Sequence, residues 1–285
     1  MAYIWMLFSA LSFATMGALA HALREEASWE VIALARAAVV LTLSSSIAWA
    51  FGIRLPIWGP WQLWVRSIAG SVSMMFVFFS LTRLPVSIVV TLMNLAPAWV
   101  AVIAWFWWPH ARSKAVWVAI AVGLVGVFLI QQPQLAAGNR AVLAPLVASV
   151  LLAIVMLALH EAKTVDSRAV VLHFSVIAFA TSLTVFLYSS ARGPLLFTNQ
   201  GTAIAMLVAT GVAATLGQLF LTMAFASGPP AKVSVVGLTQ VGFAMFYDVG
   251  IGGHGLSWLS ALGIVLVVAP TAWLLYSERQ RLVQT

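Results

Sequence analysis

Ten apolar segments, each about as long as a membrane-spanning helix, follow one another along this chain of 285 residues with short connections between them. A helix needs about 20 predominantly apolar residues to cross the hydrocarbon core. The segments lie at residues 3–21, 30–51, 66–83, 86–108, 114–131, 142–160, 169–190, 202–225, 231–249 and 256–276. They are too long for strands and lack the alternation of a membrane β-barrel. The sequence therefore predicts an all-α polytopic membrane protein with ten transmembrane helices.

The composition excludes most other classes of protein. Apolar residues make up 63% of the chain and charged residues 7%, whereas a soluble domain is about half apolar and about one quarter charged. The net charge of +7 would favour a nucleic-acid partner in a soluble chain. In a membrane protein it reflects Lys and Arg in cytosolic loops. We therefore expect the lipid bilayer and a small solute as partners, and no nucleic acid. The chain has no cysteine, which excludes disulfides and thiolate metal sites.

The distribution of positive charge predicts the orientation in the membrane. If both termini are cytoplasmic, nine Lys and Arg residues in the connections or near span ends lie inside and four lie outside, which is the bias seen in inner-membrane proteins. The inside set is Arg54, Arg66, Arg112, Lys114, Lys163, Arg168, Lys232, Arg279 and Arg281, and the outside set is Arg24, Arg83, Arg140 and Arg192. No basic residue precedes the first apolar segment, so we interpret it as a span and not as a signal peptide. The prediction is a multi-pass protein of the inner (plasma) membrane.

The two halves of the chain resemble each other when the sequence is shifted by 144 residues. The shift superposes Ser71 on Thr215, and the turn 84–87 on the turn 228–231. Each half then has five spans, and because five is odd the second half enters the membrane with the opposite polarity. We therefore predict two inverted five-helix repeats, residues 1–138 and 139–285. This architecture is common among secondary transporters, which bind their substrate near the midplane between the repeats.

Short motifs in both halves carry a resemblance to a known family. The first half has the turn SLTRLPVS at 80–87, followed by Asn94-Leu95-Ala96-Pro97. The second half has AFASGPP at 224–230, followed by Gln240-Val241. With these motifs, and with Arg36 in span two, the chain resembles the ten-helix EamA branch of the drug/metabolite transporter superfamily. Val241 stands where that family has a proline.

The resemblance implies two five-helix bundles that rock around a central cavity and move small organic solutes. Members of the family include exporters of aromatic amino acids. The matching motifs are structural, and they identify a fold better than they identify a cargo. On this basis we expect a secondary transporter, whether exporter, facilitator or exchanger, that moves small metabolites and above all amino acids by alternating access. The alternative is a membrane-embedded enzyme or lipid-handling protein with a laterally open polar site.

Polar side chains inside spans indicate where a cargo would bind, because they are expensive in hydrocarbon. Thr91 and Asn94 share one face of span four, and Pro97 is expected to open that helix near the midplane. Gln218 and Thr222 lie on span eight. The predicted binding residues are Ser12, Met16, Phe78, Thr91, Asn94, Met156, Gln218, Thr222 and Gln240. The competing interpretation for the polar members is hydrogen bonding between packed helices, and for Ser12 and the two methionines it is ordinary core packing.

Groups that titrate or carry charge are scarce inside the spans. No carboxylate lies at mid-span, so we expect no catalytic residue, no metal and no cofactor. His21, His160 and His173 are the only candidates for a proton carrier. Arg36 either extends to the interface, binds a backbone carbonyl or holds an anionic group, and its match to a family position favours a structural role. Small residues from Ala119 to Gly126 allow close helix packing, which serves either a weak homodimer or, in a monomer, intramolecular contacts.

Overall fold

The computed structural model describes residues 1–23, 25–56, 59–81, 84, 86–107, 114–131, 142–193, 196–198, 201–250 and 258–283. These residues form twelve helices: α1 (Ala2–Ala22), α2 (Trp29–Ala50), α3 (Trp61–Leu81), α4 (Val86–Met93), α5 (Ala96–Trp107), α6 (Lys114–Gln131), α7 (Leu143–Glu161), α8 (Ser167–Ser190), α9 (Gly201–Ser227), α10 (Pro230–Gly237), α11 (Thr239–Gly250) and α12 (Trp258–Val283). In the described part of the chain the only extended pairing is an antiparallel bridge between Ala27 and Phe197.

The twelve helices make ten spans because two of the spans are broken. The segments α4 and α5 together form span four, and α10 and α11 together form span nine. By length and composition, seven spans of the described chain are long and apolar enough to cross a membrane, and Lys114–Ile130 and Trp258–Pro270 are shorter apolar helices. The predicted all-α polytopic membrane fold is confirmed.

The two helix breaks lie at equivalent places in the two halves. The segment α4 (Val86–Met93) becomes α10 (Pro230–Gly237) when 144 is added to its residue numbers. At each break a polar side chain donates a hydrogen bond back to its own helix: Asn94 Nδ2 to the Val90 carbonyl and Thr239 Oγ1 to the Val236 carbonyl, both at 2.7 Å. Such side-chain bonds compete with the backbone ladder and bend helices.

A proline follows one of the two breaks. Pro97 is the second residue of α5, and span four opens directly before it, as predicted, at the place where a proline removes a backbone hydrogen bond. In span nine Val241 takes the place of the family proline and the break is still present. There the Val241 N–H donates to the Leu238 carbonyl at 3.1 Å, a tight turn that starts the second segment.

The helices pack in pairs that repeat under the 144-residue shift. The helix α1 packs along α9, and the shift relates this pair to α7, which packs along α3. Two further pairs, α2 with α8 and α6 with α12, each join a helix to its own equivalent in the other half. The most extensive contacts thus join helices from the first half of the chain to helices from the second. The predicted boundary between repeats, 138/139, lies outside the described residues, so the division into residues 1–138 and 139–285 stays a prediction.

Close crossings between these pairs use small residues and hydroxyl groups. Ser9 Oγ donates to the Gly217 carbonyl at 3.0 Å between α1 and α9, and Ser73 Oγ donates to the Ala148 carbonyl at 2.9 Å between α3 and α7. Position 73 becomes 217 under the shift. Between α6 and α12 a Cβ on Gly126 would lie 2.6 Å from the Gly263 carbonyl oxygen. The small residues of α6 are therefore used in contacts within the chain.

Span three differs from its prediction in a way that matters for the site. It begins at Trp61, five residues before the predicted start, because the helix follows directly on Pro60 and does not stop at a charge. Arg66 therefore lies inside the bundle with 1% of its surface exposed, not in a cytosolic loop. The expected nine loop charges on the cytosolic side fall to eight against four, which keeps the same direction of bias.

Candidate functional site

Two buried arginines lie near Phe174, among α2, α3, α8 and α9. Arg66 Nη2 donates to the Gln218 side-chain oxygen at 2.5 Å, and its guanidinium lies 3.7 Å from the centre of the Phe174 ring. Arg36, which is 8% exposed, lies within electrostatic reach of Arg66 and donates from Nη1 to the Met74 sulfur at 2.7 Å. We call Arg36, Arg66 and Gln218 the arginine cluster.

The hydrogen bonds of this cluster leave positive charge uncompensated. Nε of Arg36, and Nε and Nη1 of Arg66, are buried without a hydrogen-bond partner. A guanidinium offers five N–H donors, and the thioether sulfur that Arg36 contacts is a weak acceptor. No ion pair to either arginine is found among the described residues. Buried charges are normally paired, so this arrangement is unusual.

The shift relates the acceptors of the two arginines. Position 74 becomes 218, so Met74 and Gln218 occupy equivalent places on α3 and α9, and each receives one guanidinium. The arginines themselves break the symmetry, because Ala180 and Thr210 stand at their shifted positions. The two arginines therefore have no counterparts in the other half of the chain.

Further polar contacts surround the arginine cluster. His173 Nδ1 lies 2.8 Å from Ser67 Oγ, and the His173 ring packs edge-on against Trp64 with 4.8 Å between ring centres. Ser44 and Ser175 are hydrogen bonded at 2.8 Å between α2 and α8. One ring nitrogen of His173 is thus already used in a structural contact. A small crevice beside the cluster has room for about one water molecule. It is lined by Arg36, Ala37, Val40, Met74, Phe174, Ser175 and Ala178.

Comparison with known proteins finds a match to one family of transporters. Residues 1–132 match the profile of the EamA-like transporter family. Two relatives, described as uncharacterized transporters of Helicobacter pylori strains J99 / ATCC 700824 and ATCC 700392 / 26695, are each 22% identical over 213 residues, which is 73% of this chain and 70% of the relative. The resemblance inferred from the motifs is confirmed, and the protein is a membrane transporter.

A solved crystal structure shares the fold over nearly the whole chain. It superposes with a TM-score of 0.82, covers 98% of each chain and has 18% sequence identity. At that level of identity the likeness establishes the fold alone. The shared fold covers both halves of the chain.

The structure places the nine predicted binding residues on six spans of this transporter. Gln218 and Thr222 are buried and directly bonded, since Thr222 Oγ1 donates to the Gln218 backbone carbonyl at 2.8 Å. Asn94 is half-buried at the first break, and Gln240 is half-buried just after the second. Asn94 and Gln240 therefore lie at or beside a break, whereas Gln218 and Thr222 lie on the unbroken helix α9. Their assembly around a single cargo stays a prediction.

The other predicted residues have contacts of their own. Ser12 Oγ donates to the Phe8 carbonyl at 2.8 Å, and Phe78 stacks on Trp29 with 6.0 Å between ring centres. Met156 is 6% exposed and belongs to the hydrophobic core. Met16 and Thr91 are half-buried.

Sequence reasoning missed Arg66, the residue that defines the arginine cluster. The predicted span three begins at Arg66, which places this residue at the cytosolic end of the span. The signal for an earlier start is Pro60 followed by Trp61, Leu63, Trp64 and Val65, a mostly apolar stretch that starts the helix five residues earlier. A link between α1 and α11 was also missed: the hydroxyls of Thr15 and Tyr247 lie 2.6 Å apart.

The interpretation as a membrane-embedded enzyme gains no support from these contacts. Asp166 Oδ1 accepts a hydrogen bond from the Arg168 backbone N–H at 2.8 Å and so caps the start of α8. In the part of the chain that the structure describes, no three His, Asp or Glu side chains gather where they could hold a metal.

Proposed function

We propose that this membrane transporter is a secondary transporter of small metabolites, above all amino acids, in the inner membrane. It works as an exporter, facilitator or exchanger, with both termini in the cytoplasm. The observation that carries the proposal is the pair of helix breaks 144 residues apart. Each break has a polar side chain at it or beside it, Asn94 in the first half and Thr239 and Gln240 in the second.

Broken helices suit a transport site because they expose polar backbone groups inside the membrane. Irregular backbone at membrane depth is tolerated only where it is buried in protein or lines a cavity. In inverted-repeat transporters, such discontinuous helices bind the substrate at the midplane between the halves. The cargo of this chain meets Asn94 and Gln240 at the two breaks and Gln218 and Thr222 on α9.

The pairing of the helices supports alternating access. Because α1 packs on α9 and α7 packs on α3 in the same way, the two ends of the bundle are built alike. A helix motion that opens one end of the bundle therefore has an equivalent motion at the other end, and the two motions have similar free-energy costs. Closing one end while the other opens then carries the site from one side of the membrane to the other, and the direction of net flux follows the gradients.

The residues proposed for the site suit an amphipathic cargo. Gln218 supplies an amide with donors and an acceptor, while Phe78 and Met16 supply apolar surface. An amino acid with an apolar or aromatic side chain combines these needs. Neutral polar groups, not carboxylates, are the groups that meet it, and coupling to a proton through a mid-span carboxylate is not part of the proposal.

Counterflow in proteoliposomes tests the assignment. Purified protein is reconstituted with one unlabelled amino acid inside, and uptake of the labelled form is followed for a panel that includes the aromatic amino acids. We expect protein-dependent exchange of at least one of them. Exchange of none of the panel, by protein whose fold is intact, would overturn the amino-acid assignment.

Two variants and a control test the residues. Asn94→Ala and Gln218→Ala should reduce the rate of exchange by about tenfold, since each removes hydrogen bonds to the cargo. Thr184→Ala is the control: its exposed hydroxyl only returns a hydrogen bond to the Ala180 carbonyl at 2.9 Å. Wild-type rates in both site variants would remove these residues from the site.

A further inference from the structure

The arginine cluster has more positive charge than its surroundings compensate. Two guanidiniums are buried near Phe174, and three of their six nitrogens are buried without a hydrogen-bond partner. Removing an ion from water costs several kcal/mol unless a partner of opposite charge compensates. The described contacts supply only an amide oxygen, a thioether sulfur and an aromatic ring.

The unused donors define the chemistry of the missing partner. An anion with two oxygens accepts hydrogen bonds from a guanidinium through two parallel N–H donors, which is the geometry that carboxylate and Arg share. The Phe174 ring covers one face of the Arg66 guanidinium and leaves its edge for such an acceptor. The Gln218 amide, held by Arg66 through its oxygen, keeps its own NH₂ donors for the same ligand.

We propose that Arg66, Arg36 and Gln218 form a buried binding site for one carboxylate-sized anion. The crevice between α2, α3 and α8, which is lined by Arg36 and Phe174, borders the Arg36 side of this site, and with room for about one water molecule it has to widen to admit a carboxylate. The anion is supplied either by the carboxylate of a cargo or by a free anion from solution. The site is defined by the cluster alone, so it stands or falls separately from the amino-acid assignment.

A purely structural role for the two arginines makes a different prediction. If stacking and the bond to Gln218 were sufficient, the protein would respond to anions in the same way with and without the Arg66 side chain. The unpartnered Nε and Nη1 atoms argue against this role, because a residue that served only to join α3 to α9 would use its donors on those helices.

Thermal unfolding of the detergent-solubilised protein, followed by its tryptophan fluorescence, tests the site without any transport measurement. Sodium acetate is titrated, and acetamide serves as a neutral match of the same shape. A ligand that binds the folded state raises the unfolding midpoint in a concentration-dependent way. We expect acetate to raise the midpoint and acetamide to leave it unchanged. An equal response to both, or no response to any anion, would overturn the proposal.

Two variants test whether the response to acetate depends on Arg66. In Arg66→Gln the acetate concentration needed for a given rise should increase by about tenfold or more, the usual scale for losing a charge-assisted hydrogen bond. Arg192→Gln is the matched control, because Arg192 is exposed and stacks on Tyr188 at 4.0 Å, outside the cluster. An acetate response in Arg66→Gln equal to that of Arg192→Gln would contradict the site.

Gln218→Glu keeps the test decisive if Arg66→Gln does not fold. The substitution places a carboxylate beside Arg66 and so fills the proposed site from within the chain. This variant should unfold at a higher temperature than the wild type in the absence of acetate, and its midpoint should no longer respond to acetate. A lower midpoint together with a retained acetate response would refute the proposal.

Further ligands identify the source of the anion. If chloride raises the unfolding midpoint as much as acetate does, a free inorganic anion occupies the site. The other result is that an exchanged amino acid raises the unfolding midpoint, that its carboxamide does not, and that acetate weakens the rise. This result means that the cargo supplies the carboxylate. Failure of amino-acid counterflow with an intact acetate response would remove the proposed cargo and leave the anion site in place.

Discussion

The hydrogen bond between Arg66 and Gln218 offers the sharpest test of how the bundle is held together. The variant Gln218→Leu keeps the side-chain volume close to that of glutamine and removes the only hydrogen-bond acceptor that Arg66 has in the described structure. The guanidinium, 1% exposed, is then left with its contact to the Phe174 ring. Hydrogen bonds to charged groups contribute about 1.5–3 kcal/mol. We expect Gln218→Leu to lower the free energy of unfolding by about this amount.

A double variant also removes the buried charge of Arg66, which Gln218→Leu leaves without a hydrogen-bond acceptor among the described residues. In Gln218→Leu/Arg66→Met both partners become apolar, a replacement that is often neutral or stabilising for buried polar pairs. The double variant should therefore recover most of the stability that Gln218→Leu loses. The coupling energy in the double-mutant cycle should be about 1.5–3 kcal/mol, since the two residues are in direct contact.

Thermal unfolding in detergent, read from tryptophan fluorescence, measures the effect. For a chain of this size about 1 kcal/mol corresponds to roughly 2–4 °C, so Gln218→Leu should shift the midpoint down by about 3–12 °C. Gln240→Leu makes the same chemical change at a half-buried position and should shift it less. A wild-type midpoint in Gln218→Leu, or a double variant less stable than both single variants, would refute the reasoning.

Two other predictions concern packing and the loops. Gly126→Ala should destabilise the protein by about 1–3 kcal/mol in the same unfolding assay, because the added Cβ would lie 2.6 Å from the Gly263 carbonyl oxygen. Gly17→Ala is the control: the added Cβ has open space around it, so this variant should be neutral or stabilising. Ala27→Cys/Phe197→Cys should form a disulfide under mild oxidation, since bridge partners have Cα atoms within disulfide range and the chain has no other cysteine. Full labelling of both thiols by a maleimide after oxidation would show that the two loops are not paired.

The sequence is sufficient to predict the fold because the constraint of the membrane is so strong. The predicted start of span five at residue 114 is the start of α6, and the other spans except the third begin within two residues of their predictions. The 144-residue shift also relates the two helix breaks to each other. Asn94 and Thr239 return hydrogen bonds to their helices, and no pattern of apolar residues reveals such a local choice.

The candidate site was less predictable, for a physical reason. A polar residue inside a span is expensive in hydrocarbon, and this rule correctly drew attention to Gln218. It does not say which distant residue will meet it. The partner of Arg66 comes from α9, 152 residues away in sequence. The helix α8 packs against both α3 and α9 and so brings the two residues within reach of each other.

Accessibility of the helix breaks from both sides of the membrane tests the central claim, alternating access to a site between the two halves. The chain has no native cysteine, so Gln240→Cys, beside the second break, introduces a unique thiol. It is exposed to a membrane-impermeant thiol reagent in right-side-out and in inside-out vesicles, with Ala153→Cys in the core as the unreactive control. We predict labelling from both sides, slowed by an exchanged amino acid. Labelling from one side only, or from neither, would contradict alternating access.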